Sequence, residues 1–254
     1  MAEIIFLGTG TSHGVPVMNC NCKVCCSSDP KDKRFRSSLL YSEGHNTLLI
    51  DCGPDLRSQY ISFGGFTPNA VLLTHIHYDH VGGIDDLRPF SYGNGMDIYA
   101  TEDVISGLKM RMPYCFNAMK GLGLPELNFK EIRHGHDFST SNITVTPFAV
   151  CHGTNVITGY KIGRFAYITD ASSLPMDTIE VLKSVDVLVI NALRMYPHPT
   201  HMSLEQALEI IKIINPRRAF LTHMSHEIGL HEDICRFLPP NIVPAYDGLK
   251  IEIA

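Results

Sequence analysis

The sequence predicts an α/β fold arranged as one domain over residues 1–254. Short apolar runs with the alternation of β-strands recur along the chain, and segments with helical spacing separate several of them. Many of these runs end directly at a histidine or an aspartate. A chain of 254 residues with 44% hydrophobic content is long enough to bury one large core.

The first half of the chain is predicted to hold four strands and two helices. One helix is expected over residues 54–63 and the other over residues 102–111, where apolar residues recur at helical spacing. Segment 112–125 is interrupted by Pro and Gly, so we treat it as a candidate mobile wall or as an oligomer contact in a homodimer. The four predicted strands are residues 3–7, 39–42, 46–50 and 70–74.

The second half is predicted to be richer in strands and to contain one well-marked helix. Ser203 and Gln206 have the spacing of a capping box, which predicts a helix beginning there. The apolar stripe that follows, Ala207, Leu208, Ile210, Ile211 and Ile214, is expected to face the core. The predicted strands are residues 127–132, 143–150, 157–162, 165–169, 186–190 and 219–222.

A histidine-rich loop follows the strand predicted at 70–74. His75, His77, Asp79 and His80 occupy four of six consecutive positions. Side chains two apart on an extended segment point to the same side, so His75 and His77 can share one metal ion. Asp79 and His80 can face a second ion once the chain turns. The loop therefore predicts a metal site with room for two ions.

The string His-x-His-x-Asp-His resembles the signature of the metallo-β-lactamase-fold hydrolases. The resemblance implies a four-layer αββα sandwich that binds two divalent cations, Zn or Mn. It also implies that His75, His77 and His152 hold one ion, that Asp79, His80 and His223 hold the other, and that Asp170 lies between them. Each of the later ligands directly follows an apolar run. Asp51, after an early strand, matches an aspartate that supports the metal loop by hydrogen bonds.

A cysteine cluster lies in the loop near residues 19–27. Three thiolates need one more ligand to complete a tetrahedral structural zinc site, and His226 is the candidate. Cys20, Cys22 and Cys25 with His226 resemble the pattern of the PhnP-like phosphodiesterase subgroup. Cys26 departs from that pattern and could replace Cys25. A disulfide or free thiols are the alternatives to zinc.

The subgroup resemblance implies hydrolysis of a small anionic phosphodiester, and a cyclic ribosyl phosphate is the sharpest candidate substrate. His201 is the candidate general acid for the leaving group, while Asp79 and Asp170 are counted as catalytic residues as well as ligands. His198 lies between two prolines and is expected on the surface. Residues that could touch the substrate at the N-terminal glycine-rich loop are Thr9, Ser12 and His13.

Three other functions use a similar ligand set. They are tRNA 3′-end processing, hydrolysis of a thioester or lactam, and a non-catalytic metal-binding role in cofactor biosynthesis. A formal net charge of −5 argues against broad nucleic-acid binding. No signal peptide or long apolar run is evident, so we expect a cytoplasmic location and no membrane contact. The remaining cysteines, Cys52, Cys115, Cys151 and Cys235, are expected to be small apolar fillers.

Overall fold

The computed structural model describes residues 1–116 and 123–253. Within them the strands form two sheets of seven strands each. The first sheet has the order β14-β1-β2-β3-β4-β5-β6. Its strands are β1 (Ala2–Gly8), β2 (Ser38–Glu43), β3 (Asn46–Ile50), β4 (Ala70–Leu72), β5 (Met96–Ala100), β6 (Leu127–Glu131) and β14 (Lys250–Ile253). Strands β3 to β6 run parallel to one another, whereas β14, β1, β2 and β3 alternate in direction.

The second sheet has the order β13-β12-β11-β10-β9-β8-β7. Strands β10 to β13 are parallel, and β7 to β10 are antiparallel. The strands are β7 (Phe138–Thr140), β8 (Ile143–His152), β9 (Asn155–Ile162), β10 (Phe165–Tyr167), β11 (Val187–Asn191), β12 (Arg218–Thr222) and β13 (Ile242–Pro244).

Seven α-helices lie in the described residues. They are α1 (Leu56–Phe63), α2 (Tyr78–Val81), α3 (Arg88–Ser91), α4 (Glu102–Arg111), α5 (Met176–Leu182), α6 (Leu204–Ile214) and α7 (His231–Cys235). No helix in ranges 1–116 and 123–253 is both long and apolar enough to cross a membrane.

The two sheets pack face to face and helices cover their outer faces. The central core contains side chains from both sheets, and the rings of Phe6 and Phe220 meet across it with centroids 5.7 Å apart. A second core joins α1 and α4 to the outer face of the first sheet, and a third joins α5 and α6 to the second sheet. This confirms the four-layer αββα sandwich, because each layer buries an apolar face against the next.

Helix α6 begins as its sequence predicts. Ser203 Oγ accepts from the Gln206 backbone N–H, and the Gln206 side chain accepts from the Ser203 N–H, so the capping box is complete. Asn215 ends the helix with φ 56°, a left-handed conformation that asparagine tolerates. The helix fixes where the preceding loop, which carries His201, returns to the core.

Several element boundaries differ from the sequence expectations. Strand β4 ends at Leu72, two residues before the predicted end, because the chain there turns into the histidine-rich loop. Strand β8 runs on to His152. The sequence analysis missed β5, β7, β13 and β14, three of which have only three or four residues and so little periodicity. In segment 112–125, Pro113–Cys115 forms a short 3₁₀ helix, and residues 117–122 lie outside the described residues.

Candidate metal centre

The predicted ligands meet at one end of the two sheets. His75 and His77 follow β4, His152 ends β8, Asp170 follows β10 and His223 follows β12. Parallel neighbours place their carboxyl ends at the same edge, so residues far apart in the chain converge there. The structure brings all seven predicted ligands of the dinuclear site into two adjoining groups, whose ligand atoms lie within 4.8 Å of one another in each group.

The first group contains His75, His77 and His152. The ring centroids of His77 and His152 are 5.2 Å apart, and those of His75 and His77 are 4.5 Å apart. His152 Nδ1 lies 2.8 Å from the carbonyl oxygen of Thr200, to which it donates, so its Nε2 is free to bind a metal. The Nε2 atom of His75 is buried without a hydrogen-bond partner. A cation at this point would satisfy it.

The second group contains Asp79, His80, Asp170 and His223. The Nε2 atom of His80 lies 3.1 Å from Asp79 Oδ2 and 3.2 Å from Asp170 Oδ2. Asp170 Oδ1 lies 3.1 Å from His223 Nε2. The two Asp170 oxygens thus face different imidazoles, and Asp170 belongs also to a group with His152. This is the position that a carboxylate between two ions would occupy.

Asp51 fixes the orientation of His80 from behind. Its carboxylate is fully buried, and Oδ2 lies 2.7 Å from His80 Nδ1. Asp51 Oδ1 accepts the Thr74 backbone N–H at 2.8 Å. Because the Asp51 carboxylate holds a proton on His80 Nδ1, the Nε2 atom is the one that points into the site and would bind a metal ion.

Three of these residues have left-handed backbone conformations. The φ angles are 60° for Asp51, 55° for Asp170 and 54° for His223. Non-glycine residues rarely adopt this region, and such strain concentrates at functional sites. In each case the turn comes directly after a strand or a strand-like run and aims a ligand or its supporting carboxylate at the same point.

The ionisation of the site suits cations. Burial lowers the pKa of His75 well below its usual value and that of His223 to about 4, so both imidazoles are neutral at neutral pH. Burial alone would raise the pKa of Asp170, but His223 and His80 beside it hold that pKa well below its usual range. Although burial opposes the charged form of His80, the adjoining carboxylates of Asp170, Asp79 and Asp51 raise its pKa well above the usual value. The carboxylates of Asp79 and Asp170 therefore favour positive charge at this point, which is a proton on His80 in the metal-free chain and would be a divalent cation in its place.

His201 stands at the edge of both groups. Its Nε2 lies 2.9 Å from Asp170 Oδ1, and its ring centroid lies 4.9 Å from that of His152. Thr200 Oγ1 lies 2.8 Å from His201 Nδ1. His198 was expected on the surface, but it is half-buried and its Nδ1 lies 3.3 Å from His201 Nδ1. The two imidazoles pack edge to face.

A cavity of about 380 Å³ opens over the metal ligands. Of the three N-terminal residues predicted to touch substrate, Ser12 lines this cavity. Thr9 instead is buried and donates to Asp247 at 2.7 Å, and His13 is exposed. The sequence analysis missed three lining residues, Thr154, Asn155 and Thr200. Their nearness to His152 and His201 in the chain was the available signal.

The cysteine cluster is assembled across the molecule. The sulfurs of Cys20 and Cys22 each lie 3.3 Å from His226 Nδ1, and that of Cys25 lies 3.5 Å from it. Bond lengths to a tetrahedral zinc predict sulfur–nitrogen separations of ~3.6 Å, so the four atoms fit one ion. Cys26 is exposed and outside this group, and all eight cysteines are free of disulfides. A backbone N–H from Cys25, assisted by His226, lowers the pKa of Cys22 to about 6, which favours a thiolate.

The remaining cysteines differ in burial. Cys52 and Cys115 are buried, as expected of small apolar side chains. Cys151 is half-buried beside His152. Cys235 is exposed at the end of α7, so the expectation that it fills the core is wrong.

Comparisons with known proteins identify the family. Residues 46–224 match the β-lactamase superfamily domain. The chain is 42% identical over 248 residues to an octanoyltransferase from Porphyromonas gingivalis, covering 97% of this chain and 50% of that protein. A coenzyme PQQ synthesis protein B from Methylorubrum populi is 33% identical over 120 residues, or 42% of this chain and 39% of that protein. The chain therefore spans half or less of the length that these curated relatives have.

Solved structures give the same answer. A diphosphatase of the PhnP family is 37% identical with a TM-score of 0.92, and the match covers 98% of this chain and 96% of that one. Zn²⁺-bound PqqB from Methylobacterium extorquens is 21% identical with a TM-score of 0.80, over 99% and 100% of the two chains, which shows a shared fold. The chain belongs to the β-lactamase superfamily, and within it this protein is a PhnP-like member with the metallo-β-lactamase fold.

Proposed function

We propose that this member of a family of metal-dependent hydrolases is a phosphodiesterase that uses two divalent cations on a small, cyclic phosphodiester such as a cyclic ribosyl phosphate. The observation that carries the proposal is the place of His201, whose Nε2 lies 2.9 Å from Asp170 Oδ1 at the rim of both ligand groups. A protonated imidazole there can reach the departing oxygen of a substrate held over the ligands. The Cys20, Cys22, Cys25 and His226 group supports the same subgroup.

The donor set fits the cations. Two divalent ions bound here, Zn or Mn, would activate a water molecule as nucleophile and polarise the phosphoryl oxygens. His75, His77 and His152 would hold one ion, while Asp79, His80 and His223 would hold the other and Asp170 would contact both. Two divalent cations would bring four positive charges, and the carboxylates of Asp79 and Asp170 would neutralise two of them, so the occupied centre would be cationic. An anionic substrate of small size is therefore favoured.

The reaction needs two proton movements that the chain can support. As the water oxygen loses a proton to bulk solvent and bonds to phosphorus, the bond from phosphorus to the leaving alkoxide oxygen breaks. His201 gives its proton to that oxygen, since an alkoxide is a poor leaving group unless it is protonated. Thr200 Oγ1, 2.8 Å from His201 Nδ1, holds the ring in position for this transfer. The imidazole is 14% exposed, so water can return the proton afterwards.

Cleavage of a diphosphate is the second candidate. The PhnP-family relative of 37% identity is a diphosphatase, and a phosphoryl–oxygen bond breaks in both reactions. The phosphate that leaves when a diphosphate is cleaved is a weaker base than an alkoxide, so this reaction depends less on a proton from His201. The dependence of rate on the leaving group therefore separates the two candidates.

The octanoyltransferase name of the Porphyromonas gingivalis protein describes a chain twice as long as the matched segment. An eight-carbon acyl chain calls for an apolar channel at the reacting centre. In the described part of the chain, every side chain that lines the cavity over the metal ligands is polar or ionisable. We therefore assign phosphoryl rather than acyl substrates to this site.

A substrate panel tests the proposal. The metal-loaded protein should hydrolyse bis-aryl phosphate, a cyclic ribosyl phosphate and 2′,3′-cyclic nucleotides, with the cyclic ribosyl phosphate giving the highest kcat/KM. An octanoyl thioester and a lactam serve as controls and should not be turned over. Preference for a diphosphate-bridged dinucleotide would select the second candidate. Turnover of the thioester alone would refute both.

His201 has its own test within that panel. His201→Ala should lower kcat by about 10²–10⁴-fold for alkyl phosphodiesters and by little for activated aryl esters, because only the former need a proton. His45→Ala is the control, since it removes an exposed imidazole from the turn between β2 and β3, which does not line the cavity. Equal losses on both kinds of ester would remove His201 from the role of general acid.

A further inference from the structure

The loop that carries His201 has little support from its own backbone. Its two ends are joined, since the Leu193 N–H donates to the Met202 carbonyl at 2.9 Å. Within the described residues, no backbone-to-backbone hydrogen bond fastens positions 195–201, which we call the His201 loop. The backbone of this loop is contacted from another element by His152, which donates to the Thr200 carbonyl. Side chains must therefore hold the remainder of the loop in shape.

Arg194 supplies most of that support. Its Nη2 donates to the Pro197 carbonyl at 2.9 Å, and its Nε donates to the Tyr196 carbonyl at 3.2 Å. The guanidinium also lies over the Tyr196 ring, 4.3 Å from its centroid. One planar side chain thus bends residues 194–197 into a closed turn. The turn leads directly to His198, Thr200 and His201.

Glu227 fastens this turn to the rest of the molecule. Its Oε2 accepts from Arg194 Nη1 at 3.1 Å, while its Oε1 accepts from the Tyr196 hydroxyl. The backbone N–H of Glu227 donates to Ser225 Oγ, and the Ser225 N–H donates to the Leu193 carbonyl at 2.9 Å. Glu227 therefore connects the short 3₁₀ helix His226–Ile228 to Arg194 and Tyr196 at the start of the His201 loop.

The neighbour of Glu227 in the chain is His226, whose Nδ1 meets the three cysteine sulfurs. The turn that bears Glu227 is thus fixed at one end by the cysteine group and at the other by Arg194. The two sites have no ligand in common, yet the same turn contacts both. If the cysteine group became disordered, the 3₁₀ helix would move and Glu227 would lose its contacts with Arg194 and Tyr196.

We propose that Glu227 and Arg194 form a clamp that positions His201 and links the cysteine site to the catalytic loop. Neither residue lines the cavity, so both are positioning residues that act through His201. This inference rests on the proposed role of His201 as general acid. The loop's mobility can be measured without any substrate, and so the clamp can be judged separately from the reaction.

Amide hydrogen exchange gives the direct test. In the metal-loaded full chain, Glu227→Ala should raise exchange by about tenfold at the amides of Leu193 and Ser225, which donate at the base of the His201 loop, while β11 and the interior of α6 stay protected. Glu232→Ala is the matched control, because Glu232 on α7 pairs with Arg236 at the end of that helix and does not touch the loop. Glu227→Gln keeps one acceptor oxygen for Arg194 and should give an intermediate value. Unchanged exchange in Glu227→Ala would overturn the clamp.

A double-mutant cycle tests the catalytic consequence. Glu227→Ala should lower kcat by about tenfold for alkyl phosphodiesters, leave KM and activated aryl esters within about twofold, and add no further loss to His201→Ala. Cys22→Ser should raise exchange at the same two amides, and unchanged exchange there would overturn the link between the cysteine site and the loop. Additive losses in the Glu227→Ala/His201→Ala protein would overturn action through His201. If the wild-type protein hydrolysed no phosphodiester, the proposed function would be wrong. The amide-exchange experiment would still show whether Glu227 and Arg194 hold the loop, because it needs no substrate.

Discussion

Replacement of Asp51 by Asn tests how the fold prepares the metal site. The Asp51 carboxylate accepts from Thr74 N–H on one oxygen and from His80 Nδ1 on the other. Asn has the same shape and keeps an oxygen for Thr74. Its amide group, however, donates toward His80 Nδ1, which can then no longer carry the proton. The proton must move to Nε2, the atom that faces Asp79 and Asp170.

The size of the effect follows from this exchange of tautomers. Removing the partner that orients a metal-binding histidine costs about 10–100-fold in metal affinity. That range corresponds to about 1.4–2.8 kcal/mol. Asn keeps the side-chain shape and the Thr74 hydrogen bond. The free energy of unfolding of the metal-free chain should therefore change by less than about 1–3 kcal/mol, which is the cost of leaving a buried polar group without a partner. Asp51→Ala, which leaves the Thr74 N–H, the Thr74 hydroxyl and His80 Nδ1 without their acceptor, should lose stability as well.

Titration of metal into the chelator-treated protein measures the effect. We expect Asp51→Asn to weaken the binding of one of the two site ions by about 10–100-fold and to leave metal binding at the cysteine group unchanged. Asp186→Asn is the control, since Asp186 pairs with Arg164 before the start of β11, at the opposite end from the site. Wild-type affinity for both ions in Asp51→Asn would refute the orientation argument.

The other predictions concern the zinc loop, the metal loop and pH. Cys22→Ser should lower zinc content by about one ion per chain and lower the melting temperature, whereas Cys26→Ser should change neither. Gly53→Ala should unfold at lower temperature and bind less metal, because a Cβ atom there would lie 2.0 Å from the Asp79 carbonyl oxygen; normal metal content would contradict this. Burial lowers the pKa of His231 to about 4 from 6.5, so the unfolded chain takes up the proton first as pH falls from 6.5 toward 4. The free energy of unfolding should fall over that window by at most about 1.4 kcal/mol per pH unit. His231→Phe should make the plot of this free energy against pH less steep. Equal slopes for wild type and His231→Phe, measured by urea unfolding at several pH values, would contradict this.

The site was largely predictable because its chemistry is concentrated in sequence. His75, His77, Asp79 and His80 occupy one short loop after a buried strand, so residue types and spacing alone indicated a metal site. The later residues His152, Asp170 and His223 were assigned from a family resemblance, since any one of them alone resembles an ordinary polar residue after a strand. The structure places them beside the loop because their strands end at one edge of the sandwich.

What the sequence did not reveal depends on contacts between distant segments. Arg194 and Glu227 are separated by 33 positions, and neither stands in a recognisable motif. The packing of His198 on His201 was hidden by the flanking prolines, which suggested an exposed turn. The left-handed backbone at Asp51 likewise follows from the fold, since its turn is set by hydrogen bonds to the Thr74 and His80 loop.

Hydrolysis in ¹⁸O-labelled water tests the central claim most directly. With both cations bound, a cyclic ribosyl phosphate should give a phosphomonoester that carries one ¹⁸O atom on phosphorus. Chelator treatment should abolish turnover, and adding back Zn or Mn should restore it with the same labelling. Label in the sugar hydroxyl, or hydrolysis that persists after the ions are removed, would contradict attack at phosphorus by the dinuclear centre.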